Sequence, residues 1–127
     1  MIKIGIDSVE IERFLPWVNF SQQKLSRIFT AEELSYSLAN PLKAPERLAV
    51  RFAAKEAFYK AVTSLLAQPV PFLCLAKQCS IAYTPRGEPT IHFPWEIISL
   101  QAYHVEVTLT HTRTTATAVV LVTSNVA

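Results

Sequence analysis

Between Leu48 and Ala61 apolar side chains occupy almost every angle of a helix. At roughly 100° per residue, Leu48, Phe52 and Tyr59 share one flank, Ala49 and Ala53 the next, and Ala54, Ala57, Phe58 and Ala61 close most of the circle. A helix apolar nearly all round is one buried in a core or an interface. Pro45 suits its first turn, and the pattern carries to about Leu66. Upstream, Ile2, Ile4 and Ile6 alternate with Lys3, Gly5 and Asp7, which predicts a strand with one apolar face. Asp7-Ser-Val-Glu10 has the form of a helix start, with Asp7 as cap and Glu10 three residues on. That short helix would run through Phe14 and stop near Pro16. Ser21 to Ile28 predicts a second helix with Lys24 and Arg27 outward. Thr30-Ala-Glu-Glu33 is a capping box for a third, ending near Asn40-Pro41.

After Gln68-Pro-Val-Pro71 the periodicity changes. Cys79 to Tyr83 and Thr90 to Phe93 read as strands joined through Pro85-Arg-Gly-Glu-Pro89, a hairpin connection. Trp95 to Ala102 is ambiguous and reads as one short helix. Tyr103, Val105, Val107 and Leu109 then alternate with His104, Glu106, Thr108 and Thr110. A turn at Thr112-Arg-Thr114 leads into a last β-rich run, Thr115 to Val122. Helices gather in the first half and antiparallel strands in the second, so the predicted class is α+β, with the helices packed on an antiparallel sheet formed mainly by the second half. No repeat or linker interrupts residues 1–127, which predicts a single domain.

Composition narrows the function classes. Half of the 127 residues are hydrophobic and 17% are charged, which excludes a disordered chain. A net charge of +2 is too small to mark a nucleic-acid binder, although it permits a local basic site. Cys74 and Cys79 form no zinc pattern and read as ordinary thiols in a reducing compartment. The opening residues lack secretory-signal character, and no run approaches the ~20 apolar residues of a membrane span. A cytoplasmic protein that binds neither membrane nor nucleic acid is expected. Gly5 and Gly87 are the only glycines, so neither a P-loop nor a dinucleotide fingerprint exists here. Any phosphate would be held by side-chain cations, a metal or a helix N-terminus.

The apolar helix nonetheless carries Arg51, Lys55, Glu56 and Lys60, and buried charge is costly without a partner. Glu56 faces the same side as Lys60, over small alanines that leave room for an approaching group. It is either half of an i,i+4 pair with Lys60, worth a few tenths of a kcal/mol at a surface, or a site carboxylate. Asp7 is either a helix cap or a ligand for a hard cation, which favours one or two carboxylates plus substrate phosphates. Arg51 and Lys55 share a different sector, so one helix could present cations to two separated anionic groups. His111 heads the Thr-His-Thr-Arg turn, where spacing alone does not decide its role. His104 is expected on the exposed face, and His92 receives no function. No Ser or Cys has a paired base that would make it a nucleophile.

These residues resemble a known family. Gly5-Ile-Asp7-Ser-Val-Glu-Ile-Glu-Arg13 is similar to its opening motif, Gly-x-Asp followed by an acidic-apolar segment ending in Arg. Arg51-Phe-Ala-Ala-Lys-Glu-Ala-Phe-Tyr-Lys60 resembles its central helix, and His104-Val-Glu-Val-Thr-Leu-Thr-His111-Thr its late strand. Phe29-Thr-Ala-Glu-Glu-Leu34 resembles a connecting segment. The family is the holo-[acyl-carrier-protein] synthases, the short trimeric branch of the 4′-phosphopantetheinyl transferases. The resemblance spans almost the whole chain, and the central helix motif is its most specific part.

The resemblance implies a Mg²⁺-dependent enzyme that moves the 4′-phosphopantetheine of coenzyme A onto a serine of apo acyl carrier protein. It implies that Asp7 and Glu56 hold Mg²⁺, that Lys60 and His111 contact phosphates, and that Arg51 and Lys55 are candidates for the ribose phosphate. Arg13, Lys24 and Arg27 would receive the acidic carrier protein, and a homotrimer would place its sites between subunits. Positioning and charge neutralisation suffice for phosphoryl transfer. The base that takes the serine proton stays open between Glu56 and a metal-bound water. One departure stands out: family members follow the central helix with a Gly-Thr-Gly turn, whereas Ala61 to Pro69 contains no glycine. That predicts altered adenine-side contacts. The alternative is a weak or inactive relative that binds the carrier protein or coenzyme A without transfer.

Overall fold

A computed structural model describes residues 1–98 and 101–124. The chain opens with strand β1 (Ile2–Glu10) and two single-turn 3₁₀ segments, Ile11–Phe14 and Pro16–Asn19. Helices α1 (Gln22–Leu25), α2 (Ala31–Leu38) and α3 (Ala44–Val62) follow, then a 3₁₀ turn at Thr63–Leu65 and the short α4 (Phe72–Ala76). Strands β2 (Ser80–Tyr83) and β3 (Pro89–His92) form a hairpin. After a 3₁₀ turn at Trp95–Ile98, β4 (Tyr103–His111) and β5 (Thr115–Ser124) complete the main sheet. Of the short helix expected over Trp95 to Ala102, a single 3₁₀ turn forms at Trp95–Ile98, Gln101 and Ala102 are not helical, and Ser99 and Leu100 lie outside the described residues.

The main sheet has the order β1-β5-β4, antiparallel throughout. Helix α3 packs on one face of it. From β5 the face toward α3 presents Ala116, Ala118, Val120 and Val122, all fully buried. The α3 residues Leu48, Ala49, Ala53, Ala54, Ala57 and Ala61 are buried with them. Small side chains on both layers let helix and sheet approach closely. The limit is reached at Gly5, where an added Cβ would lie 1.8 Å from the Ala57 carbonyl oxygen. No other residue fits that position at this spacing.

That contact also decides which face of β1 is inside. Lys3, Gly5, Asp7 and Val9 point toward the helix layer, so Ile2, Ile4 and Ile6 point away and are 65%, 64% and 57% exposed. The apolar face predicted from the alternation is therefore the outer one. Val119 and Leu121 of β5 lie beside Ile6 and Ile4 in register, which extends the apolar surface across the sheet.

Two local predictions need correction. Asp7 does not cap a helix: it pairs with Ala118 in mid-strand, and β1 continues to Glu10 opposite Thr115. The long β5 supplies hydrogen-bond partners along the whole of Ile2–Glu10, which a one-turn helix could not match. The helix predicted over Ser21 to Ile28 shrinks to a single α-turn, Gln22–Leu25, capped by the Ser21 hydroxyl. Elsewhere the local signals hold. Thr30 and Glu33 form the predicted capping box, and Pro45 sits in the first turn of α3.

The glycine-free segment after α3 folds without left-handed backbone. Thr63 continues in the right-handed helical region, and its hydroxyl donates to the Lys60 carbonyl. The Tyr59 hydroxyl then ties the connection down by donating to the Val70 carbonyl at 2.6 Å. Among the described residues, Gly87 in the β2–β3 turn is the glycine at positive φ. No helix among the described residues is long and apolar enough to cross a membrane.

Candidate active site

The close approach of Gly5 to Ala57 carries Asp7, two residues along β1, to the flank of α3 that bears Glu56 and Lys60. The Lys60 ammonium donates to Asp7 Oδ1 and to the Ile6 carbonyl, each at 3.0 Å. Asp7 is largely buried, and its second oxygen, Oδ2, is buried with no hydrogen-bond partner. Glu56 is half-buried, and burial pushes its carboxyl pKa above the ordinary value. The negative charge of Asp7 pushes it further, while Lys60 and Arg13 pull it back. The structure thus brings Asp7, Glu56, Lys60 and Arg13 into one electrostatic centre. Arg13 is exposed, with its guanidinium 4.9 Å from the centre of the Phe52 ring.

A half-buried glutamate held above its ordinary pKa, beside an aspartate with an orphaned buried oxygen, fits a hard divalent cation. Mg²⁺ in particular needs only one or two protein carboxylates and fills its remaining positions with water and substrate phosphate. Among the described residues no group of three or more His, Cys, Asp or Glu gathers as an all-protein metal cage. The donor set is therefore one that a phosphate ligand would complete.

His111 is elsewhere. It ends β4 and pairs through Nε2 with Glu46, in the first turn of α3. Strand β5 lies between β1 and β4, with Asp7 opposite Ala118 and His111 opposite Ala116, so their backbones are two strand spacings and two residues apart, roughly 12 Å. Helix α3 lies over the same sheet face between them. His111 lines a groove of about 410 Å³ with Lys43, Arg47, Arg51 and Tyr83. A second hollow of about 630 Å³ adjoins it, sharing Tyr36, Arg51, Tyr83 and Gly87. Arg51 is buried, and burial lowers its pKa. Of the sector expected to hold Arg51 and Lys55, only Arg51 lines this groove, on a flank of α3 separate from Glu56 and Lys60.

Lys55 belongs to neither sector, and its assignment to a ribose phosphate is corrected. Its side chain is fully buried and its ammonium is saturated by protein oxygens. Glu33 Oε1 lies at 2.7 Å, and the carbonyls of Ile28, Ala76 and Cys79 at 2.8, 2.8 and 2.6 Å. An ammonium has three protons, so none is left for a ligand. Glu33 in turn accepts from the backbone N–H of Thr30 and of Ile81. The partner sits 22 positions upstream, beyond the reach of any helical-spacing rule, so the sequence carries no local sign of it.

Of the residues proposed for a carrier protein, Arg13 belongs to the carboxylate centre and the other two share a groove. Lys24 and Arg27 are exposed and flank an apolar groove lined by Trp17, Phe20, Leu25, Ile28 and Leu73. The Lys24 ammonium stands 3.8 Å over the Phe20 ring. His104 is exposed and paired with Glu106, as its strand phase predicts. Sequence reasoning missed Tyr36, Glu46, Arg47 and Tyr83. The one available signal was Arg47, one helical turn before Arg51 and on the same face.

A paired-carboxylate centre and a separate arginine–histidine groove are thus mounted on one α+β scaffold. The chain belongs to the 4′-phosphopantetheinyl transferase superfamily, whose family model matches residues 3–120. Within that superfamily its relatives are holo-[acyl-carrier-protein] synthases. The enzyme of that name from Treponema denticola is 37% identical over 126 residues, covering 96% of this chain and 98% of its own. Among solved structures, the Bacillus anthracis synthase in complex with CoA (3′,5′-ADP) superposes with a TM-score of 0.75 at 27% identity. It covers 97% of this chain and 96% of its own. The Helicobacter pylori synthase in complex with coenzyme A gives 0.72 at 27% identity, with 94% and 99% coverage.

Proposed function

We propose that this protein transfers the 4′-phosphopantetheine group of coenzyme A to a serine of apo acyl carrier protein. The serine oxygen bonds to the phosphorus that carries pantetheine. The bond from that phosphorus to the bridging diphosphate oxygen breaks, and adenosine 3′,5′-bisphosphate leaves with the electron pair. The serine proton passes to a base. The observation that carries this reading is the buried, unpartnered Oδ2 of Asp7 beside Glu56 and Lys60, in a chain whose family relatives are synthases of this kind.

In this reading Asp7 and Glu56 hold Mg²⁺, which when bound supplies charge neutralisation at the diphosphate. Lys60 contributes a positive charge at the same place and orients Asp7 through their 3.0 Å contact. Arg51 and His111 bind phosphate from the groove on the other flank of α3. Arg13, Lys24 and Arg27 offer positive charge to an acidic carrier protein, and the apolar groove beside Lys24 and Arg27 gives that partner a hydrophobic seat. The separation of the two phosphate-binding regions within one chain favours a homotrimer in which one subunit's carboxylate centre faces its neighbour's groove. The exposed apolar outer face of the sheet supports such an assembly.

The test is incubation with coenzyme A, Mg²⁺ and an apo carrier protein, followed by intact-mass measurement of the carrier. A gain of one phosphopantetheine unit is expected. A carrier of unchanged mass, with both substrates bound, would replace the enzyme reading with that of a binding module.

A further inference from the structure

Helix α3 ends beside a hollow that belongs to neither the carboxylate centre nor the arginine–histidine groove. Its volume is about 340 Å³, and it lies between Tyr59, Thr63 and the glycine-free segment 66–70. The far end of that segment is pinned by the Tyr59 hydroxyl, which donates to the Val70 carbonyl at 2.6 Å. The near end connects to the carboxylate centre: Thr63 donates to the Lys60 carbonyl at 3.1 Å, and the Lys60 ammonium holds Asp7. Thr63 is three residues past Lys60, about 4.5 Å along the helix axis. The hollow therefore begins one turn beyond Lys60.

The lining carries no charge. Beside the hydroxyls of Tyr59 and Thr63 it presents Leu66, Ala67, Val70 and the Gln68 amide. Such a wall disfavours an ionic ligand, which would lose hydration without gaining a partner. Residues 66–70 form neither helix nor strand. Among the described residues the N–H groups of Ala67, Gln68 and Val70 have no protein partner, nor have the carbonyls of Ala67 and Gln68 or the Gln68 side chain. Water satisfies such groups in the free protein. A concave, uncharged wall with an unpaired peptide edge suits a ligand made of amides and methyl groups, much as main-chain pairing recognises a bound peptide strand. Coenzyme A has one stretch of that kind. Its nucleotide end is anionic, whereas its pantetheine arm is uncharged and carries secondary amides and geminal methyls.

Resting on the transferase reading above, we propose that this hollow binds the pantetheine arm of coenzyme A. The arm's amides pair with the backbone of residues 67–68 and with the Gln68 side chain. Tyr59 holds the segment in place through Val70 and so shapes the site. The arm leaves the phosphorus that Lys60 neutralises, and the hollow receives it one turn further along.

Hydrogen exchange on the full chain, read by mass spectrometry at second timescales, tests the backbone contacts without requiring turnover. The ligands are coenzyme A and adenosine 3′,5′-bisphosphate, which shares the nucleotide end and lacks the arm. Coenzyme A is expected to slow exchange in segment 66–70, and the bisphosphate to leave it unchanged. Titration calorimetry supplies the affinities. Gln68 is exposed, so Gln68→Ala leaves the fold intact. It should weaken coenzyme A about fivefold, as suits one neutral hydrogen bond. Tyr59→Phe should act in the same direction, and neither variant should move the bisphosphate. Equal protection by both ligands, or by neither, overturns the proposal, as does protection that appears only when carrier protein is added. So does a pair of variants that bind coenzyme A as wild type does, or that lose both ligands alike. The transferase reading fails separately, if coenzyme A protects the segment yet wild-type protein never modifies a carrier.

Discussion

Glu56 is half-buried beside Asp7, and both influences hold its pKa above the ordinary carboxylate value. Between the ordinary value and the raised one, the folded chain binds more protons than the unfolded chain. Stability attached to this group is therefore full at low pH and is lost as pH rises through the raised pKa. In metal-free buffer, Glu56→Gln should melt higher than wild type at neutral pH. The gap should close below about pH 4, where both states are protonated. The same substitution should abolish transfer. Thermal melts with chelator across pH, paired with a carrier-modification assay, check both halves; normal turnover would remove Glu56 from the centre. Cys79 shows the same physics without function. Burial lifts its thiol to about 12, and the nearby Lys55 offsets this only in part. Alkylation of the native protein should therefore label the exposed Cys74 and spare Cys79. Peptide mass mapping would read that contrast, and equal labelling would contradict it.

At the scale of elements, Lys55 ties four other segments to α3. Its ammonium joins α3 to Glu33 of α2, to Ile28 after α1, to Ala76 of α4 and to Cys79 before β2. Glu33 then completes the α2 capping box and binds the β2 backbone. The neighbouring Glu56 points about 100° away around the helix, so the anchor that fixes Lys55 also fixes the rotation that presents Glu56 to Asp7. Lys55→Met should cost about 3–5 kcal/mol, because it strands a buried carboxylate. Lys55→Met combined with Glu33→Gln should recover part of that loss. Denaturant unfolding of the two variants measures it. A single variant within ~0.5 kcal/mol of wild type would show that the pair does not anchor the helix.

The whole molecule leaves one face of its main sheet without a cover. Ile2, Ile4 and Ile6 stand exposed on it, with Val119 and Leu121 beside Ile6 and Ile4 on β5. Ile4→Glu lies on the side of the sheet away from α3, so its side chain faces away from Asp7 and from the His111 groove. If the sites form between subunits, it should yield a folded monomer that has lost transfer. Sedimentation and far-UV circular dichroism, read with the activity assay, decide this. An active monomer would place the whole site within one chain.

Much of the molecule is written locally. The Thr30 capping box, the Pro45 start of α3, the turn at Gly87 and the alternation of β4 all follow from residues within a few positions of one another. So does the separation of Arg51 from Glu56 and Lys60 around α3, since a helix fixes the angle between its own side chains. Its apolar circumference determines that it is covered on nearly every side. Three things needed the folded chain. Asp7 is a strand residue because β5, more than 100 positions later, runs beside it. Lys55 is structural because Glu33 and three distant carbonyls converge on it. The isoleucines of β1 face outward because Gly5 alone could lie against Ala57. Periodicity reports that two faces differ, but which face is buried depends on what packs there, and that is settled only where chain segments meet.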